Sequence, residues 1–306
     1  MSAESAARSG EQWSIEANGH RAVLAEVGGT LRAYSVDGVE LLDGFGTDEI
    51  SPGSAGQILA PWPNRIRDGK YRFEGEEYQL ALTEPARHNA IHGLVNWASW
   101  RLAEQSADAV TLEYALPAQV GYPWSLVLRT RWSVSAGGLK CEQEVVNNSE
   151  ANAPWGYSVH PYLRLPGVTV DDTVLQVPAK SRILADNRLL PIGAAKIAGT
   201  EFDYSEPRRI GNAVLDTTFG DIDFDADGIT AVTLADPNSG RQIVVWADEK
   251  FRYWQVYSGD TLNGERFRRS VAVEPMTCPP DSFRTGRDLI VLEPGKTWNT
   301  SWGIRA

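Results

Sequence analysis

The chain has 306 residues, of which 42% are hydrophobic, enough to bury a sizeable core in one large domain or two ordinary ones. Its 29 basic and 40 acidic side chains leave a net charge of −11. That argues against non-specific binding to nucleic acid or anionic membranes, both of which draw on basic patches.

The N-terminal stretch MSAESAARSGEQW is polar and holds no apolar run that could act as a signal peptide. Residues 1–12 are expected to be mobile, and residues 13–306 to form one β-sandwich domain, since no repeat, low-complexity linker or composition break divides them. No run approaches the roughly 18 apolar residues of a transmembrane helix. Cys141 and Cys278 are the only cysteines and lack a CxxC spacing, so a reduced, cytoplasmic protein is the simplest reading. Cys278 reads more readily as inert than as a nucleophile.

The first unusual segment is Gln57–Gly69. Two prolines around Trp62 favour an extended backbone, and Asn64-Arg65 follows at once. An arginine held there can donate paired hydrogen bonds to sugar hydroxyls or to an anionic group, or simply pair with a surface carboxylate. Next come His88 and His92 in Arg87-His88-Asn89-Ala90-Ile91-His92-Gly93. Their spacing would suit one helical face, yet the surrounding residues do not favour helix. Asn89 stands where an HExxH motif needs Glu, and Gly93-Leu94 after His92 breaks the facial-triad pattern, so metal is not expected.

Period-two alternation then dominates, predicting strands over Val110–Leu116, Leu126–Val134 and Leu139–Val145, with a Ser135–Gly138 turn between the last two. Trp298–Ile304 alternates in the same way. Helical periodicity is hard to find, and 28 glycines and 17 prolines cut the chain into short pieces. The predicted fold class is therefore all-β, an antiparallel sandwich. Most of the 11 tryptophans should pack in the core, while Trp62, Trp97 and Trp155 flank polar motifs and are candidates for stacking on a sugar ring.

His160 lies in Trp155-Gly156-Tyr157-Ser158-Val159-His160-Pro161-Tyr162, a turn-rich context suited to presenting site residues. Glu274 closes the apolar run Val271-Ala272-Val273, and Pro275 is expected to stop the strand there. By itself this carboxylate reads equally as a base or as a structural hydrogen-bond acceptor. There is no Gly-rich phosphate loop, G-x-S-x-G elbow or Cys/His zinc cluster.

Taken in order, Asn64-Arg65-Ile66, Ile91-His92-Gly93, His160-Pro161-Tyr162, Leu215-Asp216-Thr217-Thr218-Phe219, Gln255-Val256-Tyr257 and Val273-Glu274-Pro275 resemble the aldose 1-epimerase (galactose mutarotase-like) family. The resemblance runs over nearly the whole chain, and Asn64-Arg65-Ile66 and Ile91-His92-Gly93 are its most diagnostic pieces. It implies a β-supersandwich that interconverts the α and β anomers of a free aldose. Glu274 falls on the family's general base and His160 on its general acid. Arg65, His92 and Asp216 fall on positions that hold the sugar, and Asn64 joins them in the substrate-binding set. Neither metal nor redox cofactor is implied, and the expected partner is a sugar, bound by a monomer or homodimer. Pro161-Tyr162 after His160, Leu94 after Gly93 and the preceding Ala60-Pro61-Trp62-Pro63 look more like a bacterial subgroup than the best-known galactose mutarotases. Two alternatives stay open. The substrate could be an anionic (phospho- or sulfo-) hexose met by Arg67, Arg87 or Arg164, or the chain could be a non-catalytic carbohydrate-binding protein.

Overall fold

A computed structural model describes residues 7–306. The expected strands are present with slightly wider bounds: Ala109–Leu116, Leu126–Ser135, Gly138–Asn147 and Thr297–Arg305. They pair in antiparallel register within a nine-stranded sheet, where Thr297–Arg305 bridges Gly138–Asn147 to Gln242–Asp248. A second, eight-stranded sheet carries Ala179–Ala185, Asp216–Ile222, Tyr253–Tyr257 and Val271–Met276 side by side. A four-stranded sheet is formed by the N-terminal residues, beginning with Gln12–Ala17.

One hydrophobic core joins the two large sheets. Leu128, Trp132, Cys141, Val145 and Trp302 come from the first sheet, and Phe219, Trp254, Val256 and Val273 from the second. Trp132 and Trp302 meet edge to face with centroids 5.6 Å apart, an arrangement that suits the ring quadrupoles. Of the expected mobile stretch, residues 1–6 lie outside the described residues, whereas Ser9 is buried and bonded to Thr47. No helix among the described residues is long and apolar enough to cross a membrane.

The alternation that fills the core also defines the opposite face of the eight-stranded sheet. Phe219, Trp254, Val256 and Val273 point into the core, so Thr218, Gln255 and Glu274, each one residue away, point out of it. Register places these three in a row, Thr218 opposite Gln255 and Gln255 opposite Glu274. Asp216, two residues before Thr218, shares this face.

The strand bearing Glu274 does not stop at Pro275 as expected; it runs from Val271 to Met276. On its far side Tyr162–Leu163 pairs with Val271 and Ala272, and Ser158 pairs with Met276. Between these pairings the ladder is interrupted by His160-Pro161. A proline without an N–H is tolerated at such an interruption. The same gap sets His160 beside Glu274.

Candidate active site

Glu274 and His160 are both nearly sealed from solvent, 2% and 6% exposed, and His160 Nε2 lies 3.4 Å from Glu274 Oε1. That is the outer limit of a hydrogen bond, so the two groups face each other without being locked together. Tyr162 stacks on the His160 ring at 4.8 Å, and His92 meets it edge-on at 5.7 Å. His92 has φ 64°, and the next residue, Gly93, has φ 80° and packs against Ala60. A Cβ on Gly93 would collide with the Ala60 carbonyl, which explains the glycine in that motif.

Asn64 and Arg65 enter from the short strand pair Arg65–Arg67 and Asn89–Ile91. Asn64 adopts φ 55°, a left-handed conformation that asparagine tolerates better than most residues. Its carbonyl accepts the His92 amide at 2.9 Å, and its Oδ1 accepts the Arg65 amide at 2.9 Å. Arg65 is clamped by Glu84 through Nε at 2.9 Å and Nη2 at 3.0 Å, a bidentate pair that leaves Nη1 with a single long bond of 3.4 Å to Asn64. Glu84 also takes Arg87 at 3.0 Å and Asn89 at 2.9 Å. Across the sheet, Thr218 donates to Gln255 and Gln255 to Asp216, each at 2.5 Å. Asn64, Arg65, Asp216, Thr218 and Gln255 line one small pocket.

Burial governs the electrostatics. It pushes the Glu274 carboxyl well above the usual carboxylate range; the Asp216 charge adds to this and Arg65 opposes it. Burial takes the His160 imidazole down to about 4, with Arg65 pressing the same way, and holds His92 well below its ordinary value. Asp216 is raised by burial against the pull of Arg65 and Arg87. Both members of the Glu274–His160 pair are thus pushed toward their neutral forms, with the proton on the carboxyl. Moving it to His160 yields a carboxylate base beside an imidazolium acid at no change in total charge.

The structure brings all six sequence-derived site residues together. Two of the three tryptophans offered as stacking candidates are excluded. Trp62 is 2% exposed and packs on Phe283, and Trp155 is fully buried, so neither can stack on a sugar; Trp97, 56% exposed, remains free to. His88 is exposed and paired with Asp68 at 2.9 Å, and Cys278 is buried with its thiol pushed up to about 11. The polar and aromatic residues of the site not singled out from sequence are Glu84, Thr218, Gln255 and Tyr162. Gln255 was legible in principle, because period two puts it in the polar row with Thr218.

Larger grooves lie elsewhere, one of about 570 Å³ beside Arg252 and Trp298 and one of about 620 Å³ over the ion pairs of the nine-stranded sheet. Among the described residues, no buried unpartnered polar atom belongs to their walls, whereas His92 Nδ1, His160 Nδ1 and Glu274 Oε2 are all such atoms. Buried polar groups normally have partners, so this cluster is a stronger sign of a ligand site than volume is.

Fold and site together define an antiparallel β-sandwich with a buried carboxyl–imidazole pair on the polar face of one sheet. The chain belongs to the aldose 1-epimerase family, whose profile matches residues 11–305. It is 34% identical to the uncharacterized protein YihR of Escherichia coli (strain K12) over 94% of this chain and 91% of that protein. It is 24% identical to the galactose mutarotase of Homo sapiens over 81% and 77% of the two chains. Among solved structures, a galactose mutarotase-like protein from Clostridium acetobutylicum has the same fold, with a TM-score of 0.84, 18% identity and coverage of 95% and 94%. So does a galactose 1-epimerase from Lactobacillus acidophilus NCFM, with a TM-score of 0.81, 21% identity and coverage of 96% and 94%.

Proposed function

We propose that this protein interconverts the α and β anomers of a free aldose, with residues 13–306 acting as one catalytic unit. The observation that carries the reading is the buried facing of His160 Nε2 and Glu274 Oε1, 3.4 Å apart beside His92, in a cluster where Glu274 Oε2, His160 Nδ1 and His92 Nδ1 have no protein partner. An anomeric hydroxyl and ring oxygen, adjacent on one carbon, supply the donor and acceptors such a site lacks.

Glu274 takes the proton of the C1 hydroxyl while His160 protonates the ring oxygen. The C1–ring-oxygen bond breaks, its electrons passing to the ring oxygen, and C1 becomes an aldehyde carbonyl. Rotation about C1–C2 presents the other carbonyl face. The reopened hydroxyl then attacks it, returning its proton to His160 while Glu274 returns the other to the C1 oxygen. Each proton transfer is worth on the order of 10²–10⁴ in rate. Arg65, Asp216, His92 and Asn64 hold the remaining hydroxyls.

An anionic hexose is the second reading. Arg65 and Arg87 both act on Asp216, with Glu84, which pairs with each of them, acting in the opposite sense. Arg67 is engaged by Asp186 at 3.6 Å, and Arg164 is exposed. Both readings are tested by exchange NMR of anomer interconversion with glucose, galactose and an anionic hexose. Accelerated exchange on any of them supports epimerase activity, and preference for the anionic sugar, lost in Arg87→Ala, selects the second reading. No acceleration on a broad panel overturns both and leaves carbohydrate binding without turnover.

A further inference from the structure

One wall of the pocket is apolar and has no part in the acid/base chemistry. Ile183, Ala185, Leu189, Pro191 and Pro280 line the pocket together with the polar set of Asn64, Arg65, Asp216, Thr218 and Gln255. The wall is carried mainly by the hairpin between strands Ala179–Ala185 and Pro191–Lys196, at the edge of the eight-stranded sheet.

At its tip Leu189 has φ 59°. A bulky residue in the left-handed region is strained, and such strain persists only where the surroundings over-determine it. Here they do. Asp186 Oδ1 accepts the amides of Arg188 at 2.8 Å and Leu190 at 3.0 Å, and the Asp186 carbonyl accepts that of Leu189 at 2.9 Å. Arg188 then latches the hairpin to the segment behind Arg65. It donates to Asp68 Oδ1 at 2.8 Å, the Arg87 carbonyl at 2.9 Å, the His88 carbonyl at 2.7 Å and Asn89 Oδ1 at 3.2 Å. Asn89 in turn holds Glu84, the clamp on Arg65. Glycine or asparagine would adopt this turn at less cost, so the leucine is not explained by the turn itself.

We propose that Leu189, held in place by the Arg188 latch, is a specificity-determining residue that forms the apolar wall against which the sugar's C–H surface packs. This rests on the aldose reading of the site. A pyranose has a C–H surface as well as hydroxyl edges, and a pocket polar on one side and apolar on the other orients it. Epimers differ in which way one hydroxyl projects. An epimer that turns a hydroxyl toward Leu189 strips it of water without offering a partner, and that asymmetry discriminates against it.

The test measures anomer exchange by wild type, Leu189→Gly, Leu189→Asn and Arg188→Ala on glucose, galactose and mannose. Both Leu189 substitutions suit the left-handed turn, so they fold. Leu189→Gly is expected to raise KM about tenfold by removing apolar contact. Its kcat stays within about threefold and its pH profile is unchanged, because the Glu274–His160 pair is untouched. Leu189→Asn narrows the spread of kcat/KM across the three epimers, and Arg188→Ala reproduces the KM rise with Leu189 still present. Unchanged KM and unchanged epimer ranking in both Leu189 variants would overturn the proposal while leaving mutarotation standing. Wild-type inactivity on every sugar would instead remove the reading beneath it.

Discussion

The strongest constraint at the residue scale is that Glu274 and His160 are buried together, each pushed toward its neutral form. This has opposite consequences for stability. The folded value of His160, about 4, lies below its ordinary 6.5, so between these the folded protein binds fewer protons than the unfolded chain. Stability from this group is full above 6.5 and is lost as pH falls toward 4. Glu274 runs the other way: its raised value favours folding below the ordinary 4.5, and that contribution is lost as pH rises through the folded value. Glu274→Gln should therefore raise Tm at pH 8 relative to wild type and change it little at pH 4, as read by thermal melts. A lower Tm at pH 8 would mean that the carboxylate is structurally paired in a way the geometry does not contain. His160→Asn should flatten the loss of Tm between pH 6.5 and 4. The pH–rate profile should be bell-shaped, since the pair must hold one proton, neither two nor none.

Among the elements, placement depends on close backbone contacts rather than on side-chain chemistry alone. Gly93, with φ 80° and the Ala60 carbonyl against it, fixes the loop that presents His92. Gly93→Ala should lower Tm and cut activity together, and a Tm and activity both equal to wild type would refute the close approach. Thr218→Val removes the hydroxyl that donates to Gln255 and so loosens the Gln255–Asp216 bond. KM should rise severalfold while kcat changes less, measured by saturation kinetics on the preferred sugar. Strand periodicity made these elements legible in the sequence: Ala109–Leu116, Leu126–Ser135 and Gly138–Asn147 differ from the expected bounds by one or two residues. The six candidate site residues were picked out through the family's spaced motifs rather than through any local signal. The continuation of Val271–Met276 through Pro275 was not, because it depends on an interruption in a neighbouring strand more than 100 residues away in sequence. Glu84 was hidden for a related reason, since nothing local in Thr83-Glu84-Pro85 says that it meets Arg65.

The whole molecule is a sandwich whose shared core aligns the polar row on the outer face of one sheet, so core and site should be separable by mutation. Trp302 is fully buried and packs on Trp132. Trp302→Ala should cost about 3–5 kcal/mol of stability. Below its melting temperature it should keep the wild-type pH–rate profile, because the residue touches no part of the site. The N-terminal sheet, the nine-stranded sheet and the site face are thus tied by one scaffold, while the proposed chemistry rests on a few side chains on three adjacent strands and two loops. The most direct test of that division is anomer exchange, followed by NMR at saturating sugar, for wild type and Glu274→Gln side by side. The expected result is clear acceleration by wild type and a loss on the order of 10²–10⁴ in the variant, with its fold intact. Equal rates in the two proteins would contradict the assignment of Glu274 as the base.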